Sequence, residues 1–293
     1  VASQKLPPHR IFPDVELLNH EGKRLRFYED LIRDKVVAIN FMFTSCRDSC
    51  PAETARLREV HDLLGDRVGQ DIFMISISVD PEHDTPEVLA QYVKKFKIGK
   101  GWQFLTGSID DIEMIQKRLA MTVTAIDSEP DDHDISLLMG NERTGQWVKR
   151  SPFDNPNHLA RLVAYRLFDG QMKMENARSY AEVPEVTNLT SASYLFDNRC
   201  SSCHSIGGGE SLGPDLLGVT IRRDRDWLAR WIREPDQMLL EGDPQALAVF
   251  REYRELPMPN LRLRESEVEL LIQYMEERDE EIGRSGTKAL ARE

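Results

Sequence analysis

The sequence has no apolar run near the roughly 18 residues that a membrane-crossing helix needs. Its longest, Val36-Val37-Ala38-Ile39-Asn40-Phe41-Met42-Phe43, has strand length, so no membrane span is expected in this chain. Basic residues are in deficit: 38 Lys and Arg stand against 50 Asp and Glu, a formal net charge of -12. That balance argues against nucleic acid or an anionic membrane surface as partner. Cysteine is scarce, and the four present fall into two close pairs, Cys46 with Cys50 and Cys200 with Cys203. Paired spacing in two distant regions argues for two separate chemical sites rather than a disulfide framework. There is no internal repeat, no second C-x-x-C and no H-x-x-x-H, so nothing completes a zinc site.

What is present suffices for about two domains. The chain has 293 residues, of which 40% are AVILMFWYC, near the globular average once its 17 Gly are added. The first half alternates strand and helix signals. Val36–Phe43 and Ile72–Val79 read as buried strands, rich in β-branched and aromatic residues. Pro51–Leu64 reads as a helix with Leu57, Val60 and Leu64 on one stripe. Thr85 and Pro86 open another, since Thr caps and Pro suits the first turn. Ile109–Leu119 and Leu159–Phe168 read as further helices. Ile135–Met139 and Gln146–Lys149 form a hairpin around the Asn141–Gly145 turn. Alternating strands and helices imply an α/β sheet. From Gly170 to about Thr190 the chain turns polar and weakly periodic, as in a linker. No convincing strand follows. Ser193–Arg199 and Asp226–Arg233 read as helices. Ser266-Glu267-Val268-Glu269 reads as a capping box for a last helix with a Val268, Leu271, Ile272, Met275 stripe, fraying after Ile282.

Cys200-Ser201-Ser202-Cys203-His204 is the C-x-x-C-H signature of covalent haem attachment. Two thiols so spaced add to two vinyl groups on one porphyrin edge, and the adjoining His then lies under the iron. A soft ligand is expected on the other side. Leu256-Pro257-Met258-Pro259-Asn260 offers the best candidate, because two prolines hold an extended loop around Met258, 54 residues after His204. Met238 and Met275 are its rivals, and Met275 lies on a core stripe. Residues 190 to 282 resemble class I cytochrome c, in which the Met before the last helix is the distal ligand. Gly213-Pro214-Asp215-Leu216 resembles that family's loop in which the Pro backbone steadies the proximal His. His/Met ligation raises a haem potential and suits electron transfer.

Phe43-Thr44-Ser45-Cys46-Arg47-Asp48-Ser49-Cys50-Pro51 leaves the first buried strand and enters a helix. Residues four apart on a helical turn face one side. A helix N-terminus favours thiolate, the reactive and metal-binding form. The plain alternative is an inert disulfide. Most of residues 10 to 168 resemble the Sco (SenC) family of thioredoxin-like copper proteins. The resemblance rests on Thr44-Ser45-Cys46-x-x-x-Cys50-Pro51, on Ser78-Val79-Asp80-Pro81-Glu82-x-Asp84-Thr85-Pro86, on Leu105-Thr106-Gly107 and on the late Asp132-His133. It implies a copper site made of Cys46, Cys50 and His133. Two thiolates suit Cu(I) and an added imidazole tolerates Cu(II). His133 could equally be an exposed loop residue in its acidic surroundings. His9, His20, His61, His83 and His158 match nothing, and Met172 and Met174 fall in the linker. The chain departs from the family at Arg47, where Pro is usual, and in the acidic run Glu129, Asp131, Asp132 and Asp134.

The resemblances together imply an α/β thioredoxin-like domain over 1–169, a linker over 170–190, an all-α cytochrome c domain over 191–284 and a flexible tail over 285–293. The implied cofactors are covalent haem c and copper. A dithiol couple moves two electrons at roughly -270 to -120 mV, whereas haem and copper each move one. Electron exchange between haem and bound copper is therefore the expected link between the two sites. Three functions stay open at this point. One is copper delivery to, or redox maintenance of, the CuA centre of a respiratory oxidase. Another is thiol–disulfide oxidoreduction, with Cys46 and Cys50 catalytic. The third is electron transfer with the first domain as a docking module. Expected partners are an oxidase subunit or other copper or thiol target, and a redox protein. The chain begins at Val1 rather than Met, which fits removal of a leader or anchor. Haem attachment and copper–thiolate chemistry both suit an exported, periplasmic protein.

Overall fold

The computed structural model describes residues 12–46, 49–121, 136–167 and 191–290, with side chains through 283. The chain forms two units.

The first unit is built on a seven-stranded sheet. Its strands are β1 (Glu16–Asn19), β2 (Arg24–Arg26), β3 (Val36–Met42), β4 (Ile72–Ser78), β5 (Trp102–Thr106), β6 (Leu137–Asn141) and β7 (Gln146–Arg150). Their order is β2-β1-β5-β4-β3-β6-β7. β3, β4 and β5 are parallel, and β1 and β6 flank them antiparallel. All seven positions of β3 are buried, as a central parallel strand covered on both faces requires. Its register with β4 runs from Val36 opposite Ile72 to Met42 opposite Ser78. Side chains of one parity, Val37, Ile39 and Phe41, join Ile75, Ile77 and the helical Ile112 and Ile115 in one core layer. Each such side chain contributes roughly 1.5–3 kcal/mol by leaving water. The opposite parity carries a buried polar rung. Ser76 Oγ–H donates to Asn40 Oδ1 at 2.6 Å, and Trp102 Nε1–H donates to Ser76 Oγ at 2.9 Å.

The helices of this unit are α1 (Ser49–Leu64), which belongs to it from Arg56 on, α2 (Pro86–Lys95), α3 (Ile109–Leu119) and α4 (Pro156–Arg161). Thr85 caps α2 as expected, its hydroxyl accepting from Val88 N–H with Pro86 in the first turn. Ser108 caps α3 in the same way through Asp111 N–H. The expected strand at 72–79 ends at Ser78, and the hairpin forms with its first strand starting at Leu137. The helix expected from Leu159 begins earlier, at Pro156, because Asn155 caps it through the N–H groups of Asn157 and His158. It then widens into a π-helical turn over Leu162–Arg166.

The second unit contains only helices among its described residues: α5 (Ser191–Arg199), α6 (Val219–Arg222), α7 (Arg225–Arg233), α8 (Pro235–Leu240), α9 (Pro244–Glu252) and α10 (Glu265–Leu290). α5 packs on α10, with Phe196 and Tyr274 ring centroids 5.5 Å apart. Phe196, Leu228, Ile232, Val268, Leu271 and Ile272 form the core. The start of α10 corrects the expected capping box. Glu267, not Glu269, reaches back, and it accepts the N–H of Arg264 at 2.9 Å rather than that of Ser266. The Arg264 guanidinium also bonds Glu267, which an uncharged Ser could not add. The backbone of α10 continues as helix to Leu290, past Ile282 where fraying was expected.

Candidate functional site

The haem signature continues the last turn of α5. Cys200 N–H bonds Phe196 O at 2.8 Å and His204 N–H bonds Cys200 O at 2.9 Å, so the two cysteines and His204 are presented together. Cys200, Cys203 and His204 line a cavity of about 360 Å³ with Leu216, Trp231 and Met258. His204 Nδ1–H donates to Pro214 O at 2.9 Å. A carbonyl can only accept, so the proton sits on Nδ1 and Nε2 keeps its lone pair for a metal. Burial holds the imidazole below its ordinary pKa against the raising effect of that bond. Burial likewise pushes the Cys200 thiol up to about 12, with Cys203 adding to the shift. Gly213 lies against the ring: a Cβ there would stand 2.5 Å from His204 Cε1. Only glycine fits.

Met258 lines the same cavity. Its rivals are core residues. Met238 is 1% exposed and packs with Trp231 and Ala246, and Met275, although it also lines the cavity, is 3% exposed and held in the α5–α10 core. Two bonds join the Met258 loop to the loop after His204. Tyr253 Oη–H donates to Glu210 Oε1 at 3.0 Å, and the Arg254 guanidinium donates to Leu212 O at 3.1 Å. Arg254 and Glu255 both have positive φ, 63° and 55°, a conformation costly for non-glycine residues that reverses the chain just ahead of Met258. Sequence reading missed this latch, because nothing in local spacing pairs residues 43 apart. The residues present fit a haem: two thiols on one helix end, an oriented imidazole, a thioether and an apolar enclosure between them.

Cys46 lies in the segment that follows β3, and Cys50 lies in the first turn of α1. The segment Ser78 to Asp84 holds this loop. Asp84 is fully buried. Its carboxylate accepts the backbone N–H of Thr44 at 3.0 Å, the Thr44 hydroxyl, and the Ser78 hydroxyl at 2.5 Å. Ser78 Oγ in turn accepts Asp80 N–H at 3.0 Å. The sequence showed these residues only as parts of a resemblance, whereas the fold gives Asp84 a role in fixing the cysteine loop. His133 lies outside the described residues, as do Arg47, the acidic run and the linker. Among the described residues no cluster of three metal-ligating side chains forms. His83 is exposed and bonded to Asp80 at 2.8 Å, and His61 is packed against Trp102.

A parallel-centred sheet with a Cys-x-x-x-Cys loop at the strand-to-helix junction, joined to a helical unit with a C-x-x-C-H cavity, defines a thioredoxin-like domain fused to a cytochrome c domain. The cytochrome c family profile matches residues 190–279. The SCO1/SenC profile matches residues 3–163, and the chain belongs to that family. An SCO2-like protein of Rickettsia prowazekii is 32% identical over 144 residues, covering 47% of this chain and 68% of that protein. The mitochondrial SCO1 homolog 1 of Arabidopsis thaliana is 33% identical over 128 residues, covering 42% of this chain and 36% of that protein. Among solved structures, copper-bound ScoI of Arabidopsis thaliana is 26% identical over 51% of this chain and 93% of its own, with a TM-score of 0.43.

Proposed function

We propose that this chain carries copper as cargo at Cys46, Cys50 and His133, and links it to one-electron transfer at a covalently attached haem c. The setting is copper delivery to, or redox maintenance of, the CuA centre of a respiratory oxidase, in an exported, periplasmic protein. One observation carries the reading: a SCO1/SenC domain with Cys46 after β3 and Cys50 in the first turn of α1 shares a chain with a cavity lined by His204 and Met258. In the division of labour proposed, residues 1–169 handle copper, 191–284 hold the haem, and 170–190 link them.

The residues divide the chemistry. The thiolates of Cys46 and Cys50 suit Cu(I), and the His133 imidazole tolerates Cu(II). The N-terminal turn of α1 favours the thiolate of Cys50. Cys200 and Cys203 would hold the haem through thioether links, and His204 and Met258 would hold its iron. Bound haem supplies one-electron transfer at a raised potential, a match in electron number for copper but not for a dithiol. The same placement of Cys50 favours a second reading, a thiol–disulfide oxidoreductase acting through Cys46 and Cys50.

Titration of the reduced, haem-loaded protein with Cu(I) against a competing chelator separates the two, beside His133→Ala. One tightly held copper per chain, weakened in the variant, is the expected result. Disulfide turnover without tight copper would replace it with the second reading. Neither copper nor turnover, with the haem intact, would leave an electron carrier with a docking domain.

A further inference from the structure

The loop from Ser205 to Leu217 closes on one carboxylate. Asp215 Oδ1 accepts Gly207 N–H at 2.8 Å and Leu217 N–H at 2.9 Å, and Oδ2 accepts Gly209 N–H at 2.6 Å. Gly207 and Gly209 have φ of 79° and 88°. These left-handed conformations turn both N–H groups onto the same anion. Burial alone would raise the Asp215 carboxyl, but the N–H groups of Leu217, Gly207 and Gly209 outweigh it and hold the pKa below the ordinary value. Asp215 is therefore an ionised anchor. It follows Pro214, whose carbonyl receives His204 Nδ1–H.

We propose that Asp215 is a positioning residue for His204: its three backbone bonds fix the Pro214 carbonyl in line with the imidazole N–H and so set the electron donation of that imidazole. The inference rests on His204 as the proximal ligand. Aligned donation from Nδ1–H gives the ring imidazolate character, which favours ferric iron and lowers the potential. The loop keeps two other tethers, Gly213 N–H to Cys203 O at 2.9 Å and Leu216 N–H to Ser205 O at 2.8 Å. Loss of the anchor should thus loosen the Pro214 carbonyl without unfolding the loop.

The test uses the full, haem-loaded chain and the variants Asp215→Asn, Asp215→Glu and Asp279→Asn. Asp279 anchors Gly218 N–H and the Thr220 hydroxyl just past the end of this loop without bonding the Ser205–Leu217 segment, and serves as the structural control. Both Asp215 variants are expected to raise the haem midpoint potential and to speed solvent exchange of the His204 Nδ1 proton, read by NMR, by about tenfold for a bond weakened by roughly 1.4 kcal/mol. Asp279→Asn should lower stability and move neither. Asp215→Glu keeps the charge, so a potential that shifts only in Asp215→Asn overturns the proposal in favour of a bare charge effect. Unchanged potential and exchange in both Asp215 variants, with His/Met spectra intact, also overturns it. A wild-type spectrum without an imidazole ligand would overturn the reading of His204 itself.

Discussion

The carboxylate of Asp84 accepts the backbone N–H of Thr44 at 3.0 Å, two residues ahead of Cys46. One buried anion thus ties the start of α2 to the loop that carries the first cysteine, across 40 residues of sequence. It also takes the Thr44 and Ser78 hydroxyls, so the end of β3 and the end of β4 meet on one group.

Removal of that anion should be felt twice. Asp84→Ala leaves buried donors on Thr44 and Ser78 without an acceptor, and should lower the unfolding free energy by about 3 kcal/mol. Asp84→Asn keeps the shape but replaces one acceptor oxygen with a donor. It should weaken Cu(I) binding by about tenfold, as loss of a group behind the ligands does elsewhere. Chelator competition reads the second effect and chemical denaturation the first. Unchanged copper affinity in a folded Asp84→Asn protein would separate the Asp84 clamp from the metal site.

Gly213 makes a sharper demand on the haem unit. Its missing side chain leaves the space that the His204 ring fills, since a Cβ would approach Cε1 to 2.5 Å and Nδ1 to 2.9 Å. Gly213→Ala should push the ring off its Pro214 bond at a cost of about 1–3 kcal/mol. Covalent attachment through Cys200 and Cys203 should survive. The expected signature is a partial shift of the ferric haem from low to high spin in its absorption spectrum.

Short-range chemistry was legible in the sequence, and long-range pairing was not. The C-x-x-C-H run, the Thr85–Pro86 helix start and the Val268, Leu271, Ile272, Met275 stripe each follow from spacing within one or two turns. Helices α8 and α9 were missed, although Pro235 and the Asp243-Pro244 pair mark their starts; their apolar residues fall in unbroken runs, 238–240 and 246–250, which show no helical period. Strands β1 and β2, at one side of the sheet, are four and three residues long, too short for alternation to register. The capping box slipped by two residues because Arg264 is not an ordinary cap, and only the fold shows its guanidinium and N–H on Glu267. Asp84 and the Tyr253–Glu210 latch depend on tertiary approach.

The three methionine candidates separate by environment. Met258→Ala should remove the distal ligand, open the iron to carbon monoxide and lower the potential. Met238 and Met275 are packed in cores, Met275 also at the cavity wall, so their alanine variants should cost roughly 2–5 kcal/mol of stability and leave His204 and Met258 as the ligand pair. Carbon monoxide binding to the ferrous forms, beside thermal melts, distinguishes the two behaviours. A Met238→Ala protein that gained carbon monoxide binding while Met258→Ala did not would reverse the assignment.

The latch between the two ligand loops sets an alkaline limit. Burial, and then the hydrogen bond and charge of Glu210, push the Tyr253 phenol from 10.0 up to about 12. A group whose pKa is raised on folding contributes stability that is complete below its unfolded pKa and is lost as pH rises through the folded one. Tyr253 therefore stabilises the folded unit fully below about pH 10, progressively less from there, and not at all above about pH 12. Tyr253→Phe removes both the bond to Glu210 and the titration. Its stability should be lower than wild type at neutral pH, and the gap should close between pH 10 and about 12. Denaturation midpoints measured across that window give the comparison. Parallel curves for the two proteins would show that the phenol is not held by Glu210 in solution. Converging curves, with the loss of Met258 ligation falling in the same window, would show that the latch is what keeps the distal loop on the haem.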